Sequence, residues 1–362
     1  MFPIALGCMS MSGMYGASDQ NESIATIHAA IDRGVTLLDT GDLYGSGTNE
    51  MLIERAIRGC RDEVLLSVKF GALRTPDGGW GRFDGRPAAI RNFLAYTLNR
   101  LGTNHIDIYR PSRLDPDVSI EETADAVADL IKAGWARHLG LSGVGVATVR
   151  RANAVHPVVD LHIEYSLVSR GPELSILPAL RELGIGVAAY GVLSRGLLSG
   201  LRPASAGDFR ATLPRFRGDN LNHNQRLIDT LSAMAKVRNT TPVRLAVAWV
   251  LAQNQSVAPV IGARTRTHLD DLLGALDLEL IRPTSGVSPM PFPSRRWPAR
   301  ATTNIRCGCS TASAERRQLA TGTRFRDQGS ALDDPGRRSG TLRPPVRAAM
   351  VVHPATVFGT FH

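Results

Sequence analysis

The sequence lacks long hydrophobic runs and contains few cysteines. No apolar stretch in its 362 residues approaches the length of about 20 residues that a membrane-spanning helix needs. The chain opens with Met-Phe-Pro-Ile-Ala-Leu, without the basic segment that begins a signal peptide. Its four cysteines, Cys8, Cys60, Cys307 and Cys309, form no disulfide framework. These absences predict a protein of the reducing cytoplasm with no membrane partner.

Most of the chain also lacks an excess of charge of either sign. The net charge is +9, and residues 282–362 carry all of it, with thirteen arginines, no lysine and four acidic residues. The remainder is neutral overall, so we expect no nucleic-acid partner. The nine histidines have no cysteine or acidic neighbours at ligand spacing, and we therefore expect no metal site. The sequence leaves open whether the protein is a monomer or a homo-oligomer.

The last part of the chain, residues 281–362, differs in composition from the rest. It is rich in Arg, Pro, Ser, Thr and Gly, and it shows no helical or strand periodicity. We expect this tail to be disordered and to have no catalytic role. Its composition resembles the translation of a GC-rich gene in the wrong reading frame, and a natural disordered tail is the alternative.

Residues 1–280 alternate between short β-type segments and amphipathic segments of helical length, which predicts an α/β fold. The apolar, unalternating strands are typical of a parallel sheet covered by helices, and eight of them close a (β/α)8 TIM barrel. An open doubly wound sheet is the competing arrangement. The predicted strands are Ala5–Met9, Leu37–Gly41, Val64–Phe70, Ile106–Ser112, His138–Gly143, Val158–Ser166, Gly186–Val192 and Ala258–Ala263. The predicted helices are Asn21–Arg33, Asn49–Cys60, Pro87–Leu101, Ile120–Ala133, Val146–Val155, Asn222–Arg238, Pro242–Gln253 and Thr267–Ala275. Asp19 or Asn21 is expected to begin the first helix, and Ser119 the fourth.

A carboxylate, a phenol and an amine follow the second and third predicted strands. Asp39 ends an apolar strand, Tyr44 comes five residues later in a Gly-rich loop, and Lys69 stands near the end of the next strand. Because the carboxyl ends of barrel strands meet on one face, we expect the three to be neighbours. An ammonium would lower the pKa of the phenol from about 10, and a carboxylate would hold that ammonium charged. Such a tyrosine can protonate a carbonyl oxygen as hydride reaches the carbon. Each residue alone also has an ordinary structural explanation; their joint spacing favours catalysis.

These motifs resemble the aldo-keto reductase family in order and spacing. The resemblance covers about residues 4–280 and rests on Asp39-Thr-Gly-Asp-Leu-Tyr44-Gly, Lys69, Gly140-Leu-Ser142, Glu164-Tyr-Ser166, Ala189–Gly200 and Pro259-Val-Ile-Gly262-Ala-Arg264. It implies a barrel that binds NADPH across its carboxyl-terminal face and reduces a small aldehyde or ketone. By position, Tyr44 would be the proton donor, tuned by Lys69, which Asp39 supports.

The resemblance also implies which residues contact the cofactor. Ser142 would bind the carboxamide, Tyr190 would stack on the nicotinamide ring, and the loop with Leu193, Arg195 and Gly196 would wrap the pyrophosphate. The remaining predicted cofactor residues are His162, Gly262, Arg264, His268 and Asp271. Arg264 and Arg266 precede a helix N-terminus, which suits a ribose 2′-phosphate and favours NADPH over NADH.

Two departures from the family pattern affect chemistry. Ser112 stands where the family has a catalytic histidine, and His105, which precedes the strand, cannot replace it. Losing an oxyanion donor of this kind costs roughly 2.7–4 kcal/mol, so we expect slow turnover. The small residue at 112 resembles the pyridoxal reductase branch, and pyridoxal-like aldehydes are the predicted substrates. His162 occupies a position where the family commonly has a glutamine that binds the carboxamide. An imidazole can still donate or accept a hydrogen bond there.

Two other functions remain open at this point. The first is a catalytically weak NADP(H)-binding sensor or regulatory barrel, like the potassium-channel β-subunits that share the fold. The serine at position 112, in place of a catalytic histidine, is consistent with this function. A damaged reductase with an out-of-frame C-terminus would explain the tail.

Overall fold

The structure is a computed structural model that describes residues 3–203, 208–253 and 256–280. The strands in these residues are β1 (Ala5–Gly7), β2 (Leu37–Gly41), β3 (Leu65–Phe70), β4 (Ala72–Arg74), β5 (Trp80–Phe83), β6 (Ile106–Pro111), β7 (Ala136–Ser142), β8 (Val158–Glu164), β9 (Gly186–Tyr190) and β10 (Val257–Ile261). Eight of them are parallel and close a barrel in the order β1-β2-β3-β6-β7-β8-β9-β10. The predicted (β/α)8 barrel is confirmed, and the open sheet is wrong.

The α-helices of the described residues are α1 (Gln20–Asp32), α2 (Thr48–Ile57), α3 (Pro87–Leu101), α4 (Ile120–Lys132), α5 (Val146–Val155), α6 (Ile176–Glu182), α7 (Gly218–Val237), α8 (Pro242–Leu251) and α9 (Arg266–Leu273). The predicted start signals are present: the side chain of Asp19 accepts the Glu22 N–H at 2.7 Å, and that of Ser119 accepts the Glu122 N–H at 3.1 Å. None of the described helices is long and apolar enough to cross a membrane.

Alternation along the strands decides which side chains reach the inside of the barrel. Leu38 and Leu66 belong to the large core that the strands share with the helices. Leu37 belongs instead to a small cluster drawn from five strands. Asp39 is two positions after Leu37 and therefore lies on the same, inner side. The register partner of Asp39 on β3 is Ser67, two positions before Lys69. Strands β2 and β3 therefore both place polar side chains inside the barrel, near the carboxyl ends of the strands.

Three parts of the described chain differ from the sequence-based prediction. Strands β4 and β5 form an antiparallel hairpin directly after β3, in a stretch for which the sequence predicts no element. Strands of three and four residues are too short to show alternation. Helix α6 has only seven residues and contains Pro178, so its periodicity is weak. The predicted first strand also ends early, because Cys8–Ser12 turns into a 3-10 helix. The predicted tail, 281–362, lies outside the described residues.

Candidate active site

One cavity of about 380 Å³ lies at the carboxyl-terminal ends of the barrel strands. Thirteen of the predicted site residues line it, and they are Asp39, Tyr44, Lys69, Ser112, His162, Tyr190, Leu193, Arg195, Gly196, Gly262, Arg264, His268 and Asp271. Ser142 is buried beneath Arg113, whose guanidinium donates to its hydroxyl at 3.2 Å. The strand ends converge as parallel barrel geometry requires, and they bring together residues from positions 39 to 271.

Lys69 and Asp39 form a buried ion pair. Lys69 Nζ donates to Asp39 Oδ1 at 2.5 Å and to Thr40 O at 3.3 Å, and each charged side chain is only 6% exposed. Burial lowers the pKa of Lys69, and the charge of Asp39 opposes this effect. The carboxylate therefore favours the ammonium form that a buried lysine would otherwise tend to lose.

Tyr44 lies beside this pair, in a tight turn that follows β2. Lys69 Nζ is 5.4 Å from the centroid of the Tyr44 ring. The next residue must be glycine: Gly45 has a φ of +56°, and a Cβ there would lie 2.2 Å from Thr48 Oγ1. The Tyr-Gly dipeptide thus sets the ring next to the ammonium.

The pKa of Tyr44 moves in the direction opposite to the sequence prediction. Burial raises this pKa well above its ordinary value, and the charge of Asp39 raises it further. The expected net lowering of this pKa is wrong, because burial of the phenol and the charge of Asp39 outweigh the nearby positive charges. The phenol therefore holds its proton at neutral pH, which is the form that a proton donor needs at the start of a reaction.

Ser112 follows β6 and lines the cavity. Its backbone N–H donates to Phe70 O at 2.8 Å, but its buried Oγ has no hydrogen-bond partner among the described residues. His105 precedes β6, at the opposite end of the strand, where Nδ1 contacts Asn104 Oδ1 at 2.7 Å. It lies outside the cavity wall, as the sequence indicated.

His162 stacks against Tyr190 in the cavity wall, with ring centroids 4.6 Å apart. Its Nε2 is 3.7 Å from Asp39 Oδ1. Neither ring nitrogen has a hydrogen-bond partner among the described residues. Burial, aided by the charge of Lys69, holds the pKa of His162 well below its ordinary value. The imidazole is therefore neutral, with one donor and one acceptor that no described residue uses.

Sequence reasoning missed a buried polar ladder beneath the ion pair. Ser67 Oγ donates to Asp39 Oδ2 at 2.9 Å and accepts from Arg110 Nη2 at 2.9 Å. The same Arg110 atom lies 3.0 Å from Asp160 Oδ2. Arg110 is completely buried, so this second ion pair lies inside the barrel and orients Asp39 through Ser67. An arginine within a predicted apolar strand was the available signal.

Arg113 is a second residue that sequence reasoning missed. It follows Ser112 and lines the cavity. Its Nη1 donates to Ser112 O at 2.6 Å and to Ser142 Oγ at 3.2 Å, and Nη2 donates to Tyr190 Oη at 3.4 Å. A Cβ on Gly143 would lie 3.3 Å from its Cζ, so the glycine leaves space for the guanidinium. The guanidinium thereby joins Ser112 to Ser142 and Tyr190, the residues predicted to contact the carboxamide and the nicotinamide ring.

The loop after β9 closes one side of the cavity. Ser194 and Arg195 have φ values of +50° and +62°, which non-glycine residues adopt rarely and mostly at functional sites. Arg195 Nη1 donates to Tyr15 Oη at 2.8 Å, and Gly196 continues the turn at φ +86°. Arg195 has no carboxylate partner among the described residues, so its charge is available to an anion.

The segment after β10 forms the other end of the cavity. Arg264 Nη1 donates to the carbonyl oxygens of Tyr15 and Ala17 at 3.2 and 3.3 Å and has no carboxylate partner in the described chain. Arg266 differs from the expectation, because it lies outside the cavity wall and pairs with Glu22 at 2.9 Å. A single guanidinium, that of Arg264, therefore remains for the proposed 2′-phosphate. Asp271 is also engaged, by Arg244 at 3.1 Å.

The profile of the aldo/keto reductase family matches residues 3–282. The chain belongs to this family. It is 35% identical over 284 residues to "Probable aldo-keto reductase 1" of Glycine max, covering 76% of this chain and 81% of that protein. Among solved structures, a glycerol dehydrogenase from Gluconobacter oxydans has a TM-score of 0.70 at 29% identity, over 77% of this chain and 88% of that one. An aldo/keto reductase from Klebsiella pneumoniae in complex with NADP and acetate has a TM-score of 0.62 at 26% identity, over 77% and 87%.

As an aldo/keto reductase, the chain is an oxidoreductase. The proteins that it resembles include both a glycerol dehydrogenase and reductases. Membership therefore fixes the class of reaction, while the carbonyl compound must be argued from the cavity itself.

Proposed function

We propose that the chain is an NADPH-dependent reductase that converts aldehydes or ketones into alcohols. One observation carries this proposal: a buried Lys69–Asp39 pair adjoins a protonated Tyr44 in a cavity whose other end holds Arg195 and Arg264. The cavity therefore offers a proton donor at one end and unpaired cations at the other. The NADP-bound relative from Klebsiella pneumoniae supports the choice of cofactor.

The residues present fit NADPH on grounds of charge and unfilled hydrogen bonds. Arg195 and Arg264 would bind phosphate groups, since guanidinium groups without a carboxylate partner favour phosphate oxygens. His162 would meet the carboxamide with ring nitrogens that have no partner among the described residues, together with the Ser142 hydroxyl. Tyr190 would offer its ring as a stacking surface. Leu193, Gly196, Gly262, His268 and Asp271 complete the wall around the same groove.

When bound, NADPH supplies the hydride that the carbonyl carbon receives. Tyr44 would transfer its phenolic proton to the carbonyl oxygen, so that the alcohol forms without a free alkoxide. Lys69 would stabilise the tyrosinate that results, and Asp39 would keep Lys69 charged during the transfer. The Ser112 hydroxyl, which lacks a partner in the described chain, would donate to the same oxygen more weakly than an imidazole.

Pyridoxal-like aldehydes are the proposed substrates. The small side chain of Ser112 leaves room beside Tyr44 for a substituted ring, and the cavity wall there includes Trp80 and Phe83. Aromatic side chains of this kind pack against flat rings at centroid separations of about 4.5–7 Å.

The decisive test is the oxidation of NADPH with pyridoxal and with a nitrobenzaldehyde, comparing wild type with Tyr44→Phe. We expect turnover in the wild type and a loss of about 100-fold or more in the variant, since one positioned acid contributes that much. NADPH binding, followed by fluorescence, should be nearly equal in both proteins.

Two outcomes of this experiment would contradict the proposal. If wild type and variant are both inert while NADPH binds, the Tyr44 mechanism is wrong and a regulatory or damaged barrel replaces it. If turnover is present and unaffected by Tyr44→Phe, another group donates the proton.

A further inference from the structure

Arg113 lines the proposed substrate end of the cavity, and no carboxylate of the described residues pairs with it. Its three hydrogen bonds go to the neutral oxygens of Ser112, Ser142 and Tyr190. Its Nε donates to no atom of the described residues. Of the five N–H groups of a guanidinium, two therefore remain for a ligand.

Three arginines of the described chain are buried, and each is paired with a carboxylate, whereas Arg113 is only partly buried and has none. Arg110 binds Asp160, and Arg215 binds Glu164 at 2.8 Å. A cation in a partly enclosed, partly apolar cavity is costly unless an anion compensates for its lost hydration. The absence of a carboxylate partner at Arg113 in the described chain therefore points to an anion from outside the chain.

The proposed cofactor does not account for this charge. Its phosphate groups are assigned to Arg195 and Arg264, which come from the loops after β9 and β10. Arg113 comes from the loop after β6 and contacts the two residues proposed to hold the nicotinamide end, Ser142 and Tyr190. It also adjoins Ser112, next to the place where the carbonyl group would react. The anion that it meets is therefore part of the substrate.

Apolar side chains define the rest of that ligand. Trp80 and Phe83, on the hairpin strand β5, pack on a cluster of Leu43, Tyr44 and Ala72. All five residues line the cavity. The wall is thus aromatic on one side and carries a guanidinium at Arg113, which together match a flat ring with an acidic substituent.

We infer that Arg113 is the specificity residue of this enzyme, and that it selects aromatic aldehydes carrying an ionised oxygen, a carboxylate or phenolate, on the ring. The guanidinium binds that oxygen while Trp80 and Phe83 cover the ring faces. This inference rests on the proposed reductase function and adds the chemical class of its substrate.

The test compares two aldehydes of the same shape, 4-carboxybenzaldehyde and 4-formylbenzamide. The wild type should show a kcat/KM roughly tenfold or more higher for the carboxylate, the range of one charge-assisted hydrogen bond. Arg113→Gln should bring the ratio of the two values close to one. Arg113→Lys should keep part of the preference, because charge remains while the planar fork is lost.

Arg264→Gln is the matched control, since it removes a guanidinium from the cofactor end of the same cavity. It should raise the KM for NADPH and leave the carboxylate-to-amide ratio unchanged. A wild-type ratio at or below one would overturn the inference. An equal loss with both aldehydes in Arg113→Gln would also overturn it, because Arg113 would then only position Ser142 and Tyr190.

A binding measurement separates this inference from the reductase proposal. The two alcohol products, 4-(hydroxymethyl)benzoate and 4-(hydroxymethyl)benzamide, are titrated calorimetrically into the protein with and without NADP⁺. Tighter binding of the benzoate that is lost in Arg113→Gln supports the inference even if turnover is absent. Equal binding of the two alcohols contradicts it even if both aldehydes are reduced.

Discussion

The rings of His162 and Tyr190 stack at 4.6 Å with their planes inclined by 23°. His162 is thus fixed by packing and not by hydrogen bonds, since neither of its ring nitrogens has a partner among the described residues. The low pKa of the imidazole keeps it neutral. A neutral, rigid ring with free nitrogens is suited to bind an amide, which has both a donor and an acceptor.

Replacing His162 should therefore weaken cofactor binding. His162→Leu removes both polar atoms, and we expect NADPH to bind about tenfold more weakly, the effect of one lost hydrogen bond. His162→Gln should retain most of the affinity, because an amide can make the same contacts. Fluorescence titration with NADPH measures both. Unchanged binding in His162→Leu would show that the residue only packs against Tyr190.

The lowered pKa of His162 also links stability to pH. An unfolded chain takes up a proton at this residue near pH 6.5, whereas the folded chain does not. Stability from this residue is therefore present above about pH 6.5 and is lost as the pH falls. The change in free energy of unfolding between pH 8 and pH 5, from urea denaturation, should be smaller in His162→Gln than in wild type. An identical change would mean that the folded protein also protonates His162.

Ser112 gives a prediction of gained activity. Its Oγ has no partner among the described residues and the residue lines the cavity, so we expect an imidazole at this position to reach the carbonyl oxygen. Ser112→His should raise kcat with a small aldehyde by about tenfold or more, because one oxyanion donor typically contributes at least that factor to kcat. Ser112→Ala serves as the control and should lower it slightly. If Ser112→His is slower than wild type with small and large aldehydes alike, the prediction is wrong and the site requires the small serine side chain.

The proximity of the proposed catalytic trio was predictable because its members are close in sequence or on neighbouring strands. Asp39, Tyr44 and Lys69 stand at the ends of two adjacent strands, and parallel pairing alone brings them together. The direction of the Tyr44 pKa was not predictable, because it depends on burial and on the neighbouring charge of Asp39.

The residues that were missed depend on distant partners. Arg110 and Asp160 come from strands β6 and β8, and only the closed barrel makes them an ion pair. Arg113 could have pointed to solvent, and its contact with Tyr190 across the barrel rim decides that it does not. The hairpin that supplies Trp80 was hidden by glycines and a proline that resemble a loop.

Removing Lys69 should destabilise the protein as well as inactivate it. Lys69→Met leaves the buried Asp39 carboxylate without its counter-charge, which typically costs about 3–5 kcal/mol. The double variant Asp39→Asn/Lys69→Met removes both charges and should recover most of that loss while remaining inactive. Urea denaturation measures the free energy of unfolding, and NADPH oxidation measures activity. A double variant no more stable than Lys69→Met would show that the packing of the Lys69 side chain, and not its charge, accounts for the loss of stability.

Asp42 carries a pH dependence of the opposite sign. Its Oδ2 accepts the Gly71 N–H at 3.2 Å, but Oδ1 has no partner among the described residues. Burial, together with the charge of Glu50, raises the pKa of Asp42 from 3.8 to about 7. Between these values the folded chain binds the proton and the unfolded chain does not. The contribution of Asp42 to the free energy of unfolding is therefore fully present below about pH 4 and is lost as the pH rises through about 7.

Asp42→Asn should abolish this loss, because the amide stays neutral and can still accept from Gly71. We expect the variant and wild type to have similar free energies of unfolding at pH 4, and the variant to be more stable at pH 8 by at most a few kcal/mol. The exposed Asp125→Asn variant controls for the removal of any acidic group. A difference between Asp42→Asn and wild type that does not grow from pH 4 to pH 8 would mean that the folded barrel ionises Asp42 throughout. In that case Oδ1 must have a partner that compensates for the buried charge.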